Sequence, residues 1–93
     1  LGDSIGGSAT AGVTVDGDNT SSVSVTLTNL GTADNVNIVN SDTGSPLTSG
    51  DVSGANLPLN STGATVTVSS TGNYTVVASS ADGESVVRSF RVN

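Results

Sequence analysis

The stretch Ser22 to Asn29, SVSVTLTN, alternates with a period of two: Val23, Val25 and Leu27 share one parity and Ser or Thr the other. That rhythm predicts an antiparallel strand with one buried and one solvated face. It recurs along the chain. Ala11 to Val15 places Val13 with Val15, Asn35 to Asn40 places Val36 with Ile38, and Ala64 to Ser69 runs through Ala64, Val66 and Val68. Asn73 to Ser79 aligns Tyr74, Val76 and Ala78, and Ser85 to Val92 aligns Val86, Phe90 and Val92. Arg88 falls on that last apolar parity. Either a bulge shifts the register near Val87, or the guanidinium reaches past the rim to water.

The intervening segments carry turn chemistry. Asp16-Gly17-Asp18-Asn19, Leu30 to Asp34 and Ser70-Thr71-Gly72 supply the Gly, Asn, Asp and Ser that tight turns select, and Asp82-Gly83 is a hairpin signal. Asn40 to Leu59 is irregular and holds both prolines, Pro46 and Pro58. It reads as loops with short edge strands around Pro46-Leu47-Thr48 and Asn56 to Leu59, because proline donates no ladder hydrogen bond. No window has the spacing of an amphipathic helix. About seven short strands at roughly ten-residue intervals predict an all-β, two-sheet antiparallel sandwich over residues 11–93, preceded by a linker over residues 1–10.

Composition agrees with this reading. Of 23 Leu, Ile, Val and Phe residues, 14 are Val, whose branched side chain suits a pleated sheet. With 93 residues the chain makes one domain and a small core, burying only about two-thirds of its unfolded surface. There is no Lys, and two Arg stand against eight acids, for a net charge of −6. That balance lacks the basic footprint of a nucleic-acid binder and disfavours an anionic membrane surface. It fits solubility in high salt and a mildly acidic surface protein equally. The longest apolar run, Val76-Val77-Ala78, is far too short to span a bilayer.

The absence of Cys and His removes disulfides, thiolate metal sites, the usual general base and the thiol nucleophile. The acids lie in turns, so an enzyme is not expected, nor a cofactor. Asp16 and Asp18 offer oxygen ligands at alternate positions, as a calcium loop does. They lack a downstream acid unless Asp82 or Glu84 folds close, and a plain hairpin turn competes with the metal reading. Gly6-Gly7 is followed by neither Lys nor a helix, so it is no phosphate cradle. A sugar-binding sandwich usually needs exposed aromatic platforms, and the two aromatics, Tyr74 and Phe90, are both expected in the core. Three N-x-[S/T] sequons begin at Asn19, Asn60 and Asn73 and favour an extracellular location.

Two resemblances extend these readings. TGNYTVVA, Thr71 to Ala78, resembles the G-x-Y-x-C signature of immunoglobulin-like strand F, with Gly72 and Tyr74 in place and Val76 where the cysteine would stand. The resemblance implies an immunoglobulin-like sandwich in which the Tyr74 hydroxyl clasps a corner between the sheets. Gly72 to Val92 also looks like the closing hairpin of surface modules such as the PKD repeat. The opening Leu1-Gly2-Asp3, the small-residue joint Gly6 to Ala9 and the β-head that follows resemble archaeal type IV pilins, as do the closing strands Tyr74 to Val77 and Val87 to Val92.

That family implies a structural subunit of an extracellular filament. An apolar helix ahead of Leu1, membrane-embedded before assembly, would bundle with copies of itself into a homopolymer, and the head would coat the outside and support adhesion. Two alternatives remain. One is an immunoglobulin-like module of a larger cell-surface or S-layer protein, which Thr28 to Ala33, TNLGTA, also resembles. The other is a carbohydrate- or calcium-binding module.

Overall fold

The alternating runs form seven strands in the computed structural model, which describes residues 9–93. They are β1 Gly12–Asp16, β2 Val23–Asn29, β3 Asn35–Asn40, β4 Ser53–Gly54, β5 Thr65–Val68, β6 Gly72–Ser80 and β7 Gly83–Val92. The helical content among the described residues is one short 3₁₀ turn, Ser49–Asp51. One sheet has the order β1-β2-β5-β4 and the other β3-β6-β7, with every pairing antiparallel. That is the ABED-against-CFG arrangement of a constant-type immunoglobulin sandwich.

The core is what the period-two pattern turns inward. Val23, Val25, Leu27, Val66 and Val68 from the first sheet meet Val36, Ile38, Tyr74, Val76, Ala78, Phe90 and Val92 from the second, all buried. Val13 and Val15 are half-buried beside them. Outside the first sheet, hydroxyls pair across strands, Ser24 with Thr67 at 3.1 Å and Thr26 with Thr65 at 2.7 Å. Such pairs hold the register and keep that face wet.

Three local features depart from the sequence expectations. Val86 is 68% exposed, not inward. Arg88 pairs with Val76 while Val86 pairs with Val77, so Val87 is the extra residue of a bulge. The bulge turns Val87 toward the core and Val86 outward, while Arg88, in register with buried Val76, reaches solvent at the open edge of β7. The proline segments make single bridges, Pro46 to Val39 and Leu59 to Val36, and the edge strand proper is Ser53–Gly54. The last hairpin turns on Ala81-Asp82, with Ser80 opposite Gly83, whose φ is +132°.

The sheet edges are each closed in a different way. β1 has five residues and an irregular register at Gly12/Val13, and β4 has two residues. β3 is covered by the proline loop: Val36 and Leu59 exchange backbone bonds of 2.8 and 2.7 Å, and Leu47 N–H donates to the Ile38 carbonyl at 2.8 Å. β7 carries the bulge and the exposed Arg88 in its middle. Bulges, edge charges and covering loops are the usual defences of an exposed edge.

Tyr74 joins core to corner. Its ring stacks on Phe90, centroids 5.3 Å apart, and its hydroxyl donates to the Ser70 carbonyl at 2.7 Å, four residues upstream. A β-carbon on Gly72 would lie 3.3 Å from that hydroxyl and 3.4 Å from the ring carbon bearing it, so the glycine leaves the ring its place. Gly31 serves the other end: at φ +58°, its backbone turns under the Thr10 carbonyl, where a side chain would collide. Burial pushes the Tyr74 hydroxyl above its ordinary pKa of 10.0, and the charges of Asp51 and Asp42 add to the shift.

Two predictions follow from this geometry. Val86→Ser should change stability by no more than about 0.5 kcal/mol, the usual range for surface sites, whereas Val87→Ser should cost about 1 kcal/mol through lost apolar burial. Urea titration reads both; equal effects would place the bulge elsewhere. Tyr74→Phe should cost about 1 kcal/mol for the lost buried hydrogen bond. In the parent protein, an unfolded chain loses its phenolic proton near pH 10 while the folded one holds it. Stability should therefore fall as pH rises from 10 through the folded-state value, and this fall should vanish in Tyr74→Phe. No Lys, Cys or His side chain titrates in that window to mask it.

Candidate functional site

The Asp16–Asn19 turn, the sequence's metal candidate, is occupied by structure. Asp16 ends β1 opposite Ser24, exposed. Asp18 points across the sandwich, where its Oδ1 accepts the Arg91 backbone N–H at 2.9 Å. Asn19 N–H donates to the Arg91 carbonyl at 2.8 Å, Thr20 bridges Val92 in parallel, and Asn93 N–H donates to the Thr20 carbonyl at 2.9 Å. The turn thus straps the first sheet to the end of β7. Asn19 adopts φ +67°, a conformation asparagine tolerates. The described residues contain no group of three His, Cys, Asp or Glu able to hold a metal ion. Asp82 and Glu84 belong to the β6–β7 hairpin, at the other end of β7 from the turn's anchor at Arg91.

Beside the strap, polar side chains interlock. Arg91 donates Nε–H to Asn93 Oδ1 at 2.8 Å and Nη1–H to Asn73 Oδ1 at 3.1 Å, and Asn73 Nδ2 reaches Asp42 at 3.4 and 3.5 Å. Asn73 and Arg91, with Asp18 and Asn19 of the strap, border a depression of about 370 Å³. Of the three sequon asparagines, Asn19 and Asn60 are exposed in turns, and Asn73 is half-buried on β6.

A groove of about 630 Å³ lies on the outer face of β3-β6-β7. Asn35, Asn37, Val39, Thr75, Val77, Ser79 and Glu84 line it, with Pro46 and Pro58 at its border. The sequence reading overlooked it, although the outward parity of Val39 and Val77 and the two prolines were its visible signals. Its lining offers amides, hydroxyls and a single carboxylate. Ser79 Oγ donates to Glu84 Oε2 there at a long 3.4 Å, in the open, and among the lining residues there is no second carboxylate and no aromatic ring. The chemistry available is hydrogen bonding at a surface.

If Asp18 serves as a strap and not as a cation ligand, Asp18→Ala should lower stability by about 1 kcal/mol, the worth of a typical hydrogen bond. Calorimetric titration of the parent with Ca²⁺ should give no saturable heat; a saturable heat lost in Asp18→Ala would restore the metal reading.

No protein-family model, no curated protein and no solved structure matches the chain.

Proposed function

We propose that the chain is the outward-facing head of an extracellular filament subunit of the archaeal type IV pilin kind, a structural and adhesive part and not an enzyme. The observation that carries this reading is the closure of the edges. A head held among many copies at high local concentration must not pair its strands with its neighbours. Here each sheet edge is short, bulged, charged or covered. The hydroxyl-covered face of β1-β2-β5 adds to this, since it presents no contiguous apolar patch. The pilin-like joint Leu1-Gly2-Asp3 lies outside the described residues and supports the reading from sequence alone. On this account, an apolar helix N-terminal to the head packs with its copies into the filament core, and the head coats it.

One observation favours the alternative of a bead in a larger surface protein. Ala9 and Thr10 sit with the β2–β3 turn, where Thr10 N–H donates to Thr32 Oγ1 at 2.9 Å. Asn93 lies at the other end, against the β1–β2 turn. Chain entering at one end and leaving at the other suits linear arrays.

An antibody raised against the isolated domain separates the two in intact cells. It should decorate thin filaments along their length and detect a small polypeptide on denaturing gels. Label confined to the cell envelope, with a polypeptide many times larger, would overturn the pilin reading in favour of the bead.

A further inference from the structure

The three sequons share a motif but not a structural setting. Transfer of a glycan requires the acceptor amide to be free and the local main chain to leave the fold's surface enough to enter an enzyme's active site. Asn73 meets neither condition. Its amide is held between Asp42 and Arg91, its carbonyl accepts the Ser41 N–H at 2.8 Å, and the hydroxyl of Thr75 is bonded to Ser41 Oγ at 2.7 Å. Reaching it means stripping a central strand from its sheet. Asn19 has an exposed side chain, but its N–H and C=O are both pinned, to the Arg91 carbonyl and to Asn93 Nδ2. Lifting it out undoes the strap that holds β7.

Asn60 differs. The segment 60–63 is exposed throughout and stands between two anchored feet. Leu59 exchanges backbone bonds with Val36, and Gly63 N–H donates to the Leu27 carbonyl at 2.7 Å. Between them, the backbone N–H and C=O of Asn60 and Thr62 have no protein partner among the described residues. Asn60 Nδ2 is unpaired, and Oδ1 meets only Ser61 Oγ, at 3.5 Å. A β-carbon built on Gly63 would touch nothing within 4 Å, so open space surrounds the tip.

We propose that Asn60 is an N-glycosylation site of the folded domain, and that the Asn19 and Asn73 sequons stay unmodified once the domain has folded. The donor class is a lipid-linked oligosaccharide pyrophosphate. Asn60 Nδ2 forms the bond to the anomeric carbon of the first sugar, and the bond from that carbon to the pyrophosphate oxygen breaks. The lipid pyrophosphate leaves with the electron pair, and one Nδ2 proton passes to a base of the transferase. The proposal rests on the extracellular location argued above, yet its test does not depend on filaments.

The folded full chain is incubated with a purified oligosaccharyltransferase and a lipid-linked oligosaccharide. The transferase is selected for accepting three synthetic peptides that carry the same three sequons in unfolded form. Site mapping by mass spectrometry should find one glycan, at Asn60. Asn60→Gln and Thr62→Ala, which keeps the amide but breaks the motif, should each abolish it, while Asn19→Gln should leave it intact. Modification of the folded chain at Asn19 or Asn73 to the same extent, or an unmodified Asn60, overturns the proposal. Failure of the antibody to label filaments would bear on the pilin reading and leave this result untouched.

Discussion

The domain stands on the face-to-face burial of two valine-rich strand faces, and so on the register that keeps those faces turned toward each other. A pleated strand shows alternate residues to opposite sides, so a slip of one residue exchanges its core for its surface. In a chain with one Tyr, one Phe and no disulfide, no large side chain or covalent link offsets such a slip. Register must be held by many weak devices. Hydroxyl pairs do so on the outside of β2 and β5, the Tyr74–Ser70 clasp at one corner, and the Asp18 strap along β7.

The bulge at Val87 shows how the same rule allows a local exception. An unbroken alternation from Phe90 backward would bury Arg88 and Val86. An unpaired guanidinium inside an apolar layer costs far more than one exposed valine. Inserting Val87 as an extra residue shifts the parity of Val86, which turns to water, while Arg88 keeps the register of buried Val76 and reaches solvent past the open β7 edge. The bulge also breaks the straight run of the β7 edge, so one irregularity serves both core and surface.

These particulars mark how far the sequence could be read. Clean alternation made β2, β3, β5 and β6 legible, because for them burial is decided within the strand. The misfit of Arg88 signalled a disturbance in β7, but parity alone could not say which valine would turn out. β4 was invisible: Ser53-Gly54 has no apolar residue, and its place follows from Gly54 at φ +104° lying close against the Thr65 carbonyl. The Asp18 strap was equally hidden, since its partner lies 73 residues away and a solvated turn looks the same on paper. The groove on β3-β6-β7 is assembled from outward residues of three strands and two prolines, so no local window contains it.

The two outer faces carry different chemistry. The face of β2-β5 carries two cross-strand hydroxyl pairs, Ser24 with Thr67 and Thr26 with Thr65. The face of β3-β6-β7 carries Val39, Val77 and the exposed Val86 among amides. On the second face the Ser79 hydroxyl donates to Glu84 at 3.4 Å, whereas on the first the hydroxyls of β2 and β5 pair with one another. Among the described residues, the shifted pKa belongs to Tyr74, whose hydroxyl is spent on a corner. The chain's polar groups are turned to holding strands in register and closing edges. Both tasks serve one end: the strands pair with each other and leave little open edge for further pairing.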